Sequence, residues 1–168
     1  MGTKRNIIAF IVIGLLGTLL HFTYDLSGEN AIVGVFSAVN ESIWEHQKLL
    51  YWSALIYSIG EYLFLERRPH NYKIAAALGI LSGIMAVITL FYTYSGILGF
   101  SVTFIDISLY FLGVIVFLIV RNLIIKNRFL ISGTAQILGV LIIIVLGVLF
   151  AVWTFFPPKL SIFIPKMQ

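Results

Sequence analysis

Between His21 and Lys48 the chain gathers two of its three His and four of its seven acidic residues. Imidazole and carboxylate groups on separate helices form a ligand set for zinc, iron or manganese. The expected metal ligands are His21, Asp25, Glu45 and His46. The expected catalytic groups are Glu41, Glu45, His46 and Asp106, with one Glu acting as general base toward water. Trp44, Lys48, Tyr92 and Tyr94 stand where a substrate would touch them. The absence of Cys excludes disulfides, thiolate zinc sites and thiol nucleophiles. There is no H-E-x-x-H, H-x-x-x-H or E-x-x-H pairing, no phosphate-cradling Gly loop and no G-x-S-x-G elbow, so the chemistry rests on clustering and not on a motif.

The elements that position these groups are apolar. Hydrophobic residues make up 60% of the 168 and charged residues 11%, and mean hydropathy is +1.04. Soluble domains carry about 25% charged residues, so the composition is that of an integral membrane protein. Ionisable groups are costly in hydrocarbon, which makes their concentration in one stretch a functional signal. A net charge of +4 sorts with membrane topology and not with nucleic acid.

Five apolar stretches, about 6–25, 43–65, 73–95, 101–124 and 130–154, are each long enough to cross about 30 Å of hydrocarbon as a helix. The expectation is all-α: one membrane domain over 1–168, a bundle of five transmembrane helices with a short interfacial or re-entrant segment between helices 1 and 2. The apolar run from Asn6 to Leu20 exceeds a signal-peptide core and lacks a cleavage site, so it is read as a retained span. Lys4, Arg5, Arg67, Arg68, Lys73, Arg121, Lys126 and Arg128 fall on one side and Lys48, Lys159 and Lys166 on the other. This bias predicts a cytoplasmic N-terminus, an external C-terminus and an outward-facing His21 to Lys48 stretch.

Gly14, Gly17, Thr18, His21 and Asp25 share one face of span one; Gly79, Ser82 and Gly83 form a second small-residue seam on span three. Residues 26–40 contain turn chemistry and an apolar run too short to cross, and are expected to dip back over the His21 face. Asn40 is expected to cap span two. Glu61 is expected to pair with Arg68, and Asp106 with His21, His46 or Lys48. His70 is expected to be exposed. Trp153, Phe155 and Phe156 read as an aromatic belt ahead of Pro157-Pro158.

G-T-L-L-H-F-T-Y-D-L-S-G from Gly17, N-E-S-I-W-E-H-Q-K-L-L from Asn40, L-F-Y-T-Y-S-G-I-L-G from Leu90, Asp106 and F-F-P-P-K-L from Phe155 together resemble a family of small bacterial multi-pass membrane proteins catalogued only as a domain of unknown function. The resemblance implies a five-span protein of the bacterial cytoplasmic membrane and no particular activity. It also implies an external tail that is shortened here, since the chain ends soon after the double proline.

Three readings follow from the cluster. The first is a metal-dependent membrane hydrolase or transferase acting on a lipid-linked or amphipathic substrate, with a divalent cofactor such as zinc. The second is binding or transport of a small cation or cationic solute, for which assembly into a homo-oligomer would supply a pathway. The third is a polar clasp that fixes helix register. The expected partners are membrane lipids and a small-molecule or lipid-linked ligand.

Overall fold

A computed structural model describes residues 3–65 and 68–165. Glu66 and Arg67 of the basic loop, and Lys166, lie outside the described residues. Five long helices occupy the five apolar stretches: α1 (Thr3–Leu26), α3 (Ile43–Phe64), α4 (Tyr72–Leu98), α5 (Thr103–Lys126) and α6 (Gly133–Phe155). A one-turn α2 (Ala31–Gly34) lies between α1 and α3, and a 3-10 turn (Ser161–Phe163) follows α6. Four of the long helices, α1, α4, α5 and α6, are long and apolar enough to cross a membrane. The fifth, α3, has 22 residues but carries Glu45, Lys48 and Glu61.

Close helix approach is set by small residues where a side chain would collide. A Cβ on Gly83 would stand 2.7 Å from the Gly113 carbonyl oxygen, so α4 and α5 touch backbone to backbone. Gly139 brings α6 against the α4 backbone at Ile74 in the same way, with 2.6 Å to Ile74 Cα. On α1, the space a Gly17 side chain would need is taken by the Tyr110 hydroxyl, 1.9 Å from a Cβ built there. That hydroxyl donates to Ile13 O at 2.9 Å. Large apolar side chains remain on the outer faces, Leu15, Ile107, Ile119, Ile137 and Ile144 among them, as expected of helices solvated by lipid.

The segment after α1 differs from a lid over the His21 face. Gly28 and Glu29 take left-handed φ values of 68° and 61°, and Glu29 N–H donates back to Tyr24 O at 3.1 Å, closing α1. The chain then folds onto α1 and α3: Ser37 Oγ accepts from Tyr24 N–H at 3.0 Å and donates to Leu20 O. Trp52 Nε1 donates to Val35 O at 3.0 Å, and Phe36 packs on Trp52 at 4.7 Å between ring centroids. This segment is a tie between helix ends, because its Ser37 hydroxyl bonds to the α1 backbone while the α3 side chains Trp52 and Glu45 bond to its own backbone.

The cap of α3 is Ser42, not Asn40. Ser42 Oγ accepts from Glu45 N–H at 3.3 Å, whereas Asn40, two residues earlier, accepts through Oδ1 from Ser42 N–H at 2.9 Å. Ser42-x-x-Glu45 is the capping-box spacing, although the Glu45 carboxylate reaches past the cap to Val39 N–H at 3.0 Å. Ser42→Ala should therefore lower unfolding stability by about 0.5–2 kcal/mol, and Asn40→Ala by less. Thermal unfolding of both variants in mild detergent checks the order, and the reverse order would return the cap to Asn40.

Candidate functional site

Capping α3 at Ser42 leaves Glu41 just outside the helix and puts His46 in its first turn, directly over the Ser42 carbonyl. His46 Nδ1 lies 2.8 Å from Ser42 O. A carbonyl only accepts, so Nδ1 carries the hydrogen and Nε2 is directed elsewhere, a backbone-set orientation common to metal-binding imidazoles. Nε2 lies 3.4 Å from Glu41 Oε2. With Nδ1 protonated, neutral His46 would point a lone pair at a carboxylate, so this contact calls for a positive charge between or on the two groups: a second proton or a metal ion.

His21 completes the group from α1. Its Nε2 is 4.0 Å from Glu41 Oε1, its ring centroid is 5.3 Å from that of His46, and its Nδ1 is buried without a hydrogen-bond partner among the described residues. One ligand atom each from His21, Glu41 and His46 lies within 4.8 Å of the others. Ligand atoms around a tetrahedral zinc, at bond lengths near 2.0 Å, stand about 3.3 Å apart. The His46–Glu41 pair already has that spacing, and His21 would close it by a rotamer adjustment of a half-buried side chain.

The triad lines a cavity of about 750 Å³. Its lining is mostly apolar, including Phe22 of α1, Val87 and Phe91 of α4 and Ile107 of α5, together with Gly17 and Tyr110. Gln47 and Asp106 add polar groups. An apolar cavity with a few convergent polar groups is the usual form of a small-molecule site.

The other expected site residues divide. Glu45 does not reach the histidines: it is 2% exposed, with Oε2 2.5 Å from Lys48 Nζ and Oε1 accepting from Thr154 Oγ1 at 3.1 Å. Lys48 also donates to Gly34 O at 2.7 Å and Thr154 Oγ1 at 2.8 Å, so it is turned away from the cavity and clasps α2, α3 and α6. Because Glu45 and His46 are successive residues on a helix, their side chains leave it about 100° apart, and the two face different neighbours. Trp44 packs on Phe150, Trp153 and Phe163 at centroid distances of 4.6, 4.9 and 5.1 Å; the chain after Pro158 thus folds back onto α3. Trp153 belongs to this internal stack, while Phe155 and Phe156 stay exposed. Asp25 is exposed on the last turn of α1 and stands outside the triad. Asp106 lines the cavity and accepts from the Tyr94 hydroxyl, while Lys48, one of its expected partners, is held by Glu45. That hydroxyl in turn accepts from Val102 N–H at 3.1 Å, fixing the entry to α5. Tyr92 is 39% exposed and packs on Phe91.

A second polar group lies at the opposite end of the bundle. Arg121, expected in a loop, is 0% exposed within α5 and pairs with Glu61 Oε2 at 3.0 Å. Tyr57 donates to Glu61 Oε1 at 3.1 Å and Tyr72 to Oε2 at 2.6 Å. Glu61 is thereby satisfied by α3, α4 and α5, and Arg68, its expected partner, instead lies over the Tyr62 ring at 4.8 Å. His70 is exposed, as expected. Glu41 as a co-ligand, Gln47, Thr154 and Arg121 were not readable as a set: each needs a partner from a distant helix. The run Ile119-Val120-Arg121 within an apolar stretch was the available signal for the last.

No curated protein and no solved structure matches the chain. A family model described as a family of unknown function (DUF6512) matches residues 2–168. The motifs around His21, His46 and Asp106 all fall inside that match, and the chain belongs to this family of unknown function.

Proposed function

We propose that the protein is a metal-dependent membrane hydrolase or transferase acting on an amphipathic substrate, with His21, Glu41 and His46 as the metal ligands. The observation that carries this reading is the placement of His46, whose Nδ1 lies 2.8 Å from Ser42 O and whose Nε2 faces Glu41 Oε2 at 3.4 Å with His21 beside it. A divalent ion held by three protein groups keeps a position for water, and it would lower the pKa of that water and polarise a carbonyl or phosphoryl oxygen. Asp106, held by Tyr94, supplies a further carboxylate on the cavity wall to accept a proton.

In this reading α3 is the fifth span. Its 22 residues cover about 33 Å at about 1.5 Å per residue, and the buried partners of Glu45, Lys48 and Glu61 offset the cost of placing them there. The basic residues support a cytoplasmic N-terminus: setting aside the fully buried Arg121 and Lys48 turns eight against three into seven against two. The triad then faces outward, near the external membrane boundary of a bacterial cytoplasmic membrane.

The test is hydrolysis of two chromogenic amphiphiles, 4-nitrophenyl palmitate and hexadecyl 4-nitrophenyl phosphate, by protein supplied with zinc in mild detergent. Turnover of one of them that stops with EDTA, returns with zinc and is missing from His46→Ala is expected. Absence of turnover, or turnover indifferent to EDTA and to His46→Ala, would overturn the enzymatic reading.

A further inference from the structure

The seam between α1 and α5 holds a second recess, at the end of the bundle where α1 begins. This groove of about 390 Å³ is bordered by Thr3, Asn6 and Phe10 of α1 and by Ile115, Ile119 and Asn122 of α5. Asn6 meets Asn122 at one end of it, and Phe10 packs on Phe111 further along, at 5.8 Å between ring centroids. The two helices are therefore antiparallel, and the groove has its polar residues at the helix ends and its apolar residues toward mid-membrane. Seven residue steps on each helix make it about 10 Å long at about 1.5 Å per residue. Ile7 and Ile119 line it and are 54% and 52% exposed, so it opens sideways to lipid. A recess that is polar at the boundary and apolar inward has the polarity of a phospholipid.

Its polar end suits an anion. Arg121 Nη2 donates to Asn122 Oδ1 at 3.4 Å, and Asn122 Nδ2 donates to Asn6 Oδ1 at 2.9 Å. This chain of donors starts on a buried guanidinium and ends on Asn6 Nδ2. That nitrogen has no acceptor among the described residues and is not sealed from its surroundings. Lys126 follows Asn122 by four residues, hence on the same face of α5, and Lys4 stands beside Thr3 in the first turn of α1; both are exposed. Neither residues 3–10 nor residues 119–126 include an Asp or Glu. Cations and N–H donors at the mouth of a lipid-open groove, with no carboxylate among them, complement a phosphodiester.

We infer that this half of the α1–α5 seam is a site for an anionic phospholipid, with the phosphate at Lys126, Lys4 and Asn6 Nδ2 and one acyl chain along Ile7, Ile115 and Ile119. Phe10 and His21 are about 16 Å apart along α1, and the site requires neither a metal nor catalysis at the triad.

Native mass spectrometry in mild detergent tests it with two lipids of identical chains, anionic dioleoylphosphatidylglycerol and zwitterionic dioleoylphosphatidylcholine. Wild type is expected to retain one phosphatidylglycerol with a preference of at least about fivefold, since each lysine beside an anionic head contributes roughly that factor. Lys4→Gln/Lys126→Gln should erase the preference, and Lys4→Arg/Lys126→Arg, which keeps both charges, should keep it. Lys73→Gln, which removes an exposed charge at the start of α4, should also keep it. Ile119→Trp should diminish retention of phosphatidylglycerol, whereas Leu15→Trp, exposed on α1 but outside the groove, should not. A wild-type preference below that factor, a preference that survives Lys4→Gln/Lys126→Gln, or equal sensitivity to Leu15→Trp and Ile119→Trp overturns the inference. All the substituted side chains are exposed, so melting temperatures matching wild type are expected to assign the losses to the site.

Discussion

Replacing Lys48 by methionine should cost about 3–5 kcal/mol of stability, because it strands a buried carboxylate. Glu45 is 2% exposed and would keep only Val39 N–H and the Thr154 hydroxyl as partners. Membrane and soluble domains alike rarely have more than about 5–15 kcal/mol to lose, so most of the folded yield should disappear. The double variant Glu45→Met/Lys48→Met removes both charges and substitutes apolar chains of similar length, and should return to within about 1 kcal/mol of wild type. Chemical unfolding in mild detergent reads both. A double variant as damaged as the single one would contradict the assignment of the loss to the stranded Glu45 carboxylate. A clasp also predicts that the double variant keeps its metal, since neither residue belongs to the His21, Glu41 and His46 group.

The helices were legible because their cause is local. Runs of apolar residues interrupted by Ser27-Gly28-Glu29-Asn30, by Pro69 and by Pro157-Pro158 mark where hydrogen-bonded helix must start and stop. The small-residue faces were legible for the same reason: Gly14 and Gly17 lie one turn apart, and both meet α5 side chains, Phe111 and Tyr110. Partner choice was not legible. Asp106 could be placed at the outer end of α5 by counting, but its pairing with Tyr94 depends on how the loop after Gly99 turns, with φ of 80° at that glycine. Glu45 and His46 leave the helix about 100° apart and could share an ion only if two neighbouring helices surrounded the start of α3. The rotation sends Glu45 to Lys48 and His46 to Glu41. Arg121 was counted with the loop charges because it sits five residues from Lys126 at the end of α5, whereas its burial follows from Glu61, Tyr57 and Tyr72 converging on the same level.

The second large effect is expected at His46. Its Nδ1 is fixed by the Ser42 carbonyl, so Nε2 is the ligand atom that needs the least reorganisation, and His46→Ala should weaken zinc binding by more than about 100-fold, beyond the 10- to 100-fold cost of losing an outer-shell partner. His21→Ala and Glu41→Gln should act in the same direction. Asp25→Asn should leave binding unchanged, because that carboxylate stands outside the triad. His46→Ala should remain folded, since the side chain is about one-third exposed and supports no neighbouring helix through a hydrogen bond of its own.

The most direct test is elemental analysis of wild type, His21→Ala, Glu41→Gln, His46→Ala and Asp25→Asn after equilibration with one equivalent of zinc and removal of free metal. The account predicts about one zinc per chain in wild type and Asp25→Asn and loss from the other three. Wild-type protein without bound metal, with the three variants still folded, would contradict it and leave the His21, Glu41 and His46 group as a proton-bridged ion pair.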